Sequence, residues 1–363
     1  MSTSAPAAHL APSPAVPGPL DARAVGLMTA LCLLWSLQQI SLKAVAPWFP
    51  PMLMIGLRSG VAALCVMALM RHQAQRVSLA SGLWRPGLVV GGLFALEYLL
   101  VGEGLRHTQA SHISVFLYTS PIFAALGLHW RVPAERLAAR QWVGIGLAFA
   151  GIAVAFLGRA PAGGVSGAGA LTAPGTAEVL WGDLLGLLAG ASWGATTVVL
   201  RGSRLAQAPA TETLLYQLLA AFVLLMGACV LNGQVAALAA LWPGLGGAAE
   251  AGARGGAAAA VALGAGADAA AGALSARLWW HLGFQALVVS FASFLVWFWM
   301  LRHYLASRLS VLAFMTPLFG VGLGVLLLGE TLEPAFVVGA VMVLAGVLVV
   351  SWRGAAGRGA RRS

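Results

Sequence analysis

Leu105 to Pro121 reads LRHTQASHISVFLYTSP, and Leu301 to Pro317 reads LRHYLASRLSVLAFMTP. The two stretches lie 196 positions apart, and eight of their 17 positions are identical. The correspondence extends beyond them. Trp35 stands eight residues before Lys43, as Trp193 stands eight before Arg201. Glu135, Gly144 and Gly151 correspond to Glu330, Gly339 and Gly346 at an offset of 195. The chain is a duplication, and any fold for it must accommodate two related halves.

Composition names the solvent. The 363 residues are 60% hydrophobic and 9% charged, against about 25% charged in a soluble domain. Ten apolar runs are long enough to cross a bilayer, at roughly 24–42, 52–70, 86–105, 112–130, 141–158, 180–200, 212–231, 279–301, 309–329 and 335–352. A crossing helix takes about 20 residues. Trp48, Trp84, Trp130, Trp142, Trp181, Trp279 and Trp352 sit near run ends, as an interfacial belt does. The net charge of +10 falls in short connections between these runs, so it speaks for a membrane and excludes nucleic acid as the partner.

Orientation follows from the basic residues. With the N-terminus in the cytoplasm, 15 Lys and Arg fall on the cytoplasmic side and 5 on the outer side. The expectation is a multi-pass protein of the cytoplasmic (inner) membrane with both termini inside. Residues 1–22 read as a disordered tail without the basic start of a secretory signal. The first repeat spans 23–158, a linker 159–179, the second repeat 180–352 and a basic tail 353–363. The Gly/Ala-rich stretch 232–278 reads as a flexible outer loop.

Five spans per repeat is an odd number, so the second copy enters from the opposite side. The fold class is therefore all-α integral membrane protein, ten transmembrane helices in two inverted five-helix repeats. Such folds relate their halves by a pseudo-two-fold axis in the membrane plane and hold the substrate near the midplane between them.

These landmarks resemble the drug/metabolite transporter superfamily, of the EamA type. The residues that carry the resemblance are the Trp-to-basic pairs (Trp35, Lys43; Trp193, Arg201), an Arg in the second span (Arg58), the Ala-Ser-then-Pro stretches (Ala110, Ser111, Pro121; Ala306, Ser307, Pro317) and the Leu-Gly-Glu turn (Leu328, Gly329, Glu330). The resemblance covers about 24–353. The first repeat departs at the turn, with VPAE where LGE is usual. It implies ten helices, cytoplasmic termini and secondary transport, often outward, of small organic metabolites or drugs.

Arg58 and Glu97 are the most informative polar residues. Arg58 lies seven residues past Pro51 and Glu97 eight before Leu105, so both sit at a depth of about 10 Å. A charge at mid-span costs at least about 2.5–3.5 kcal/mol, so each needs a partner, and each is the other's natural one. A fixed salt bridge and a substrate or proton site are equally compatible with that pairing. The repeat-equivalent positions hold Tyr216 and Ser293, which predicts a lopsided cavity suited to an amphipathic or zwitterionic solute. Trp35, Gln38, Tyr98, Tyr118 and Trp193 are further candidates for its wall. Pro121 and Pro317 are expected to kink the fourth and ninth spans as gates. Gly182, Gly186, Gly190 and Gly194 make a groove for close helix packing. Asp183 is expected at the start of the sixth span, complementing the helix N-terminus.

Cys32, Cys65 and Cys229 make no metal or disulfide pattern, and no cofactor is called for. The GxxxxGK[ST] pattern is missing, which argues against direct nucleotide drive and leaves exchange with protons or a counter-solute open. A membrane-embedded enzyme would need a nucleophile–base pair at one depth, and none is legible. A channel or scaffold would not require two inverted halves. The reading is a transporter that works without enzymatic chemistry, with a small-molecule substrate and the lipid bilayer as partners.

Overall fold

The structure is a computed structural model that describes residues 21–75, 82–131, 137–157, 175–241, 267–304, 309, 312–313 and 315–351. The predicted N-terminal tail before residue 21, most of the linker, residues 242–266 of the outer loop and the basic tail lie outside them. The VPAE turn lies outside them too.

The first repeat supplies α1 (Ala22–Val45), α2 (Pro51–His72), α3 (Trp84–His107), α4 (Ala110–Leu117), α5 (Ser120–Arg131) and α6 (Ala139–Leu157). The second supplies α7 (Thr176–Arg201), α8 (Ala210–Leu231), α9 (Ala267–Gly283), a π-helical segment (Phe284–Ser293), α10 (Phe294–His303), α11 (Met315–Leu328) and α12 (Pro334–Ser351). Among the described residues, eight helical stretches are long and apolar enough to cross a membrane, α4 with α5 counting as one, and α11 and α12 are shorter apolar helices. Sequence sets several starts. The Asp21 carboxylate accepts the Ala24 N–H at 2.7 Å and caps α1. Pro51 and Pro334 open α2 and α12, where a missing N–H costs nothing.

Two expectations are corrected here. Part of the 232–278 stretch is helical. Gln234–Leu241 forms a 3-10 helix, and α9 is already helical at Ala267, ahead of the expected start near 279. The Ser275 hydroxyl and the Trp279 indole N–H both donate to the Leu241 carbonyl, at 2.7 and 3.0 Å, tying the two pieces together. The fourth span is interrupted rather than kinked. Helix α4 ends at Leu117 and α5 starts at Ser120, so Pro121 falls in the first turn of a new helix. Pro317 lies in α11, and Leu312 and Ala313 before it are also helical. Pro121 sits where its missing donor is harmless, so the break at Tyr118–Thr119 takes the place of the expected bend in the fourth span.

The inversion is visible in one contact. Helices α6 and α12 pack closely along their lengths. A Cβ on Gly144 would lie 2.8 Å from the Gly346 carbonyl oxygen, and one on Gly151 would lie 2.6 Å from that of Gly339. Gly339 corresponds in sequence to Gly144, and Gly346 to Gly151, so each glycine meets the counterpart of the other. That exchange requires an antiparallel pair related by a two-fold axis. Helix α2 also packs on its own equivalent, α8, with Gly56 against Met226 and Gly60 against Phe222.

The face of α7 that carries Gly182, Gly186, Gly190 and Gly194 receives α4 and α5. A Cβ on Gly182 would strike Thr108, on Gly190 the Phe116 carbonyl and the Thr119 hydroxyl, and on Gly194 Phe123. The groove therefore admits the break itself. Outward faces stay apolar: Leu64 is 63% exposed and Val143 70%. Water would not tolerate such surfaces over every helix, and lipid does.

Candidate functional site

Arg58 is 2% exposed on α2 and Glu97 5% exposed on the neighbouring α3. The expected bond between them is not formed. They do not approach within the 4.0 Å of an ion pair. Arg58 turns instead toward the second repeat, where Nη1 donates to Oε1 of Gln285 at 2.5 Å. Its guanidinium carbon stands 4.6 Å from the centre of the Tyr98 ring. Gln285 is fully buried in the π-helical segment, and its Nε2 donates to the Gln38 carbonyl of α1 at 2.9 Å.

Magnitudes decide what this leaves. A desolvated cation–π contact contributes about 2 kcal/mol, and a hydrogen bond to a charged group about 1.5–3. Together these roughly offset the cost of holding Arg58 at this depth. Glu97 has no such compensation. Its Oε2 is buried without a hydrogen-bond partner, and so is Nε of Arg58. Two groups of opposite charge thus face neighbouring helices, each incompletely satisfied and neither satisfying the other.

The remaining predicted residues divide into groups. Tyr98 belongs to the Arg58 cluster through its ring, and Gln38 through its carbonyl. Tyr118, at the helix break, meets Trp193 of α7 edge to face at 5.4 Å. Trp35 donates its indole N–H to the Ser293 hydroxyl at 3.0 Å, and Ser293 in turn donates to the Val289 carbonyl. Ser293 therefore fastens α1 to the end of the π segment. Tyr216 is not in this neighbourhood. It packs against Gly87 and Gly91, near the start of α3, and its hydroxyl has no partner. Inversion is the reason: a residue seven positions into α8 lies toward the opposite membrane face from one seven positions into α2. Charges from one half and hydroxyls from the other do not share a single wall as expected.

Sequence reasoning missed Gln285. A buried glutamine in an apolar run was the available signal, but nothing marked its partner. The π geometry was also illegible. Ten residues of it run from Phe284 to Ser293, and π turns inside helices are frequent at functional sites.

Above this cluster, at the membrane face where α1 ends and α4 begins, the halves are tied by polar bonds. Gly329 has φ +66°, and the Glu330 N–H returns to the Gly324 carbonyl at 3.2 Å. The left-handed Gly329 stops α11 and turns the chain, which explains a glycine in Leu-Gly-Glu. The turn aims the Glu330 carboxylate at the N-terminus of α4, where it accepts from the N–H groups of Ala110 at 2.6 Å and Ser111 at 3.0 Å. The Ala-Ser motif of one half and the Leu-Gly-Glu motif of the other meet here. Gln109 adds a bond from its amide to the Thr331 carbonyl at 3.1 Å. Lys43 donates to the Leu105 and Thr108 carbonyls, both at 2.6 Å, and so closes the C-terminus of α3.

Asp183 corrects an expectation. Helix α7 begins at Thr176, so Asp183 lies two turns inside it and is fully buried. Its Oδ1 accepts from the Thr108 hydroxyl at 2.6 Å and lies 2.9 Å from Nδ1 of His112. His112 stacks on Phe336 of α12 with ring centres 3.8 Å apart. Glu103 and Arg106 form the surface pair that their spacing predicts, at 2.9 Å.

Comparison with known proteins completes the picture. The model of the EamA-like transporter family matches residues 22–157 and 251–352. The chain belongs to the EamA-like transporter family. An uncharacterized transporter of Bacillus subtilis (strain 168), YoaV, is 22% identical over 321 residues, covering 88% of this chain and 94% of that protein. A solved structure titled "Crystal structure of protein" covers 90% of the chain at 21% identity with a TM-score of 0.47. As a member of the EamA-like family this is a multi-pass membrane transporter, and the Arg58–Gln285 cluster lies between its two family repeats.

Proposed function

We propose that the protein moves a small zwitterionic, amphipathic organic solute across the cytoplasmic membrane by alternating access between its two inverted halves. One observation carries the reading. Arg58 and Glu97 are buried on adjacent helices, unpaired with each other, and each retains an unpartnered polar atom. A carboxylate on the solute would complete Arg58, and an ammonium would complete Glu97. Aromatic faces of Tyr98, Tyr118 and Trp193 would hold its apolar body. Both termini are cytoplasmic in this reading, from the bias of 15 basic residues to 5. The Glu330 and Asp183 bonds then seal the outer face over the site, and transport runs outward, driven by protons or a counter-solute.

The test is flux into proteoliposomes of zwitterionic, cationic, anionic and sugar-like radiolabelled solutes. Zwitterions are expected to move and to lose transport in Arg58→Ala. Flux absent from every class, with catalysis detected instead, would sink the reading.

A further inference from the structure

Gln285 occupies a position that a carboxylate suits better. A guanidinium offers five N–H donors in a planar fork that matches a carboxylate with two parallel bonds. Gln285 supplies one neutral amide oxygen, on Nη1, and Nε is left without an acceptor. Glu97, the only acidic residue at this depth of α2 and α3, does not move in to supply the second oxygen. The arrangement holds the fork of Arg58 half filled.

The same amide is wired to the frame. Nε2 of Gln285 is fixed on the Gln38 carbonyl, and Gln285 is the second residue of the π segment. The last residue, Ser293, is held by Trp35. Both ends of the π segment are thus fastened to helices of the first half. An acceptor that took Arg58 from Gln285 would release the bond to α2 and leave both fastenings to α1 in place.

We infer that Gln285 is a displaceable positioning residue, standing on Arg58 where the carboxylate of the solute binds, so that binding releases the hydrogen bond between α2 and the second-half π segment. The inference rests on the transport reading above for the nature of the solute. It assigns to Gln285 a role that a packing glutamine would not have. A merely structural amide would be needed equally with and without a carboxylate present.

Chemical rescue tests this without knowledge of the natural solute. Purified full-length Gln285→Ala leaves Arg58 open toward a vacancy large enough for a small carboxylate. Millimolar sodium acetate is expected to raise its Tm by about 2–4 °C, with sodium chloride at equal concentration inert and wild type less responsive. Gln285→Glu, which builds the carboxylate in, is expected to fold with a Tm no lower than wild type and to ignore acetate. Arg58→Gln in the Gln285→Ala background should lose the response. A Gln285→Ala protein indifferent to acetate overturns the inference, as does a Gln285→Glu protein that responds like it. Arg58-dependent flux of zwitterions would then still stand, since it needs Arg58 and not the exchange.

Discussion

The α6–α12 contact and the Arg58 cluster obey the duplication in opposite ways. In the first, four glycines occupy equivalent positions and meet as exchanged pairs. In the second, Arg58 and Glu97 have Tyr216 and Ser293 as counterparts, and those counterparts lie elsewhere in different jobs. The difference is physical. A close helix crossing on the two-fold axis must satisfy both halves with the same residues, so it keeps them alike. A solute of low symmetry needs distinct groups around it, so the site is where the halves diverge.

The sharpest way to break that contrast is to compare Arg58 with a basic residue of the first half that lies outside the cluster. Arg58→Ala is expected to reduce transport about 100-fold or more, since it removes a buried charge from its partners. Flux in proteoliposomes at matched protein content measures this. Lys43→Ala, which loses bonds to two carbonyls near the membrane face, is expected to fall less in the same assay. Comparable losses in the two variants would erase the special standing of the cluster.

The symmetric contact is tested by stability. Gly339→Val places a side chain 2.5 Å from the Gly151 carbonyl and is expected to cost about 1–3 kcal/mol or more. Gly144→Val should cost a similar amount, because Gly144 is the repeat counterpart of Gly339. Thermal unfolding in detergent reads both, and a large inequality between them would weaken the two-fold description. A smaller effect is expected at the face. Glu330→Ala removes the acceptor at the α4 N-terminus and should cost about 1 kcal/mol, seen as a lower Tm. Tyr216→Phe should change stability by no more than about 0.5 kcal/mol and leave flux unaltered, because its hydroxyl has no partner.

Much of this was written in the sequence. The ten apolar runs, the duplication and the inversion follow from hydropathy and counting, because lipid allows few alternatives to a helix. Arg58 stood out because a charge in such a run is costly. Its partner did not, because a side chain seven residues deep can turn toward several helices, and only packing decides among them. Gln285 was hidden for that reason. The π segment was hidden because a change from i−4 to i−5 bonding leaves no distinct residue pattern over ten positions. Glu178 and Asp183 lower local hydropathy, so hydropathy alone puts the start of α7 four residues late and Asp183 near its N-terminal end rather than two turns inside it. The break at Tyr118–Thr119 was read as a proline bend, since Pro121 marks the place without telling which side of it the helix ends.

The exchanged glycines have a consequence for how this chain can change. Each one is a notch, and each supplies the carbonyl that occupies the notch opposite. When a bulky residue invades most packed interfaces, its neighbour can be trimmed to make room. Here the neighbour is already a glycine, with no side chain left to trim. A step toward larger residues at 144, 151, 339 or 346 has no local remedy, and relief must come from moving a whole helix.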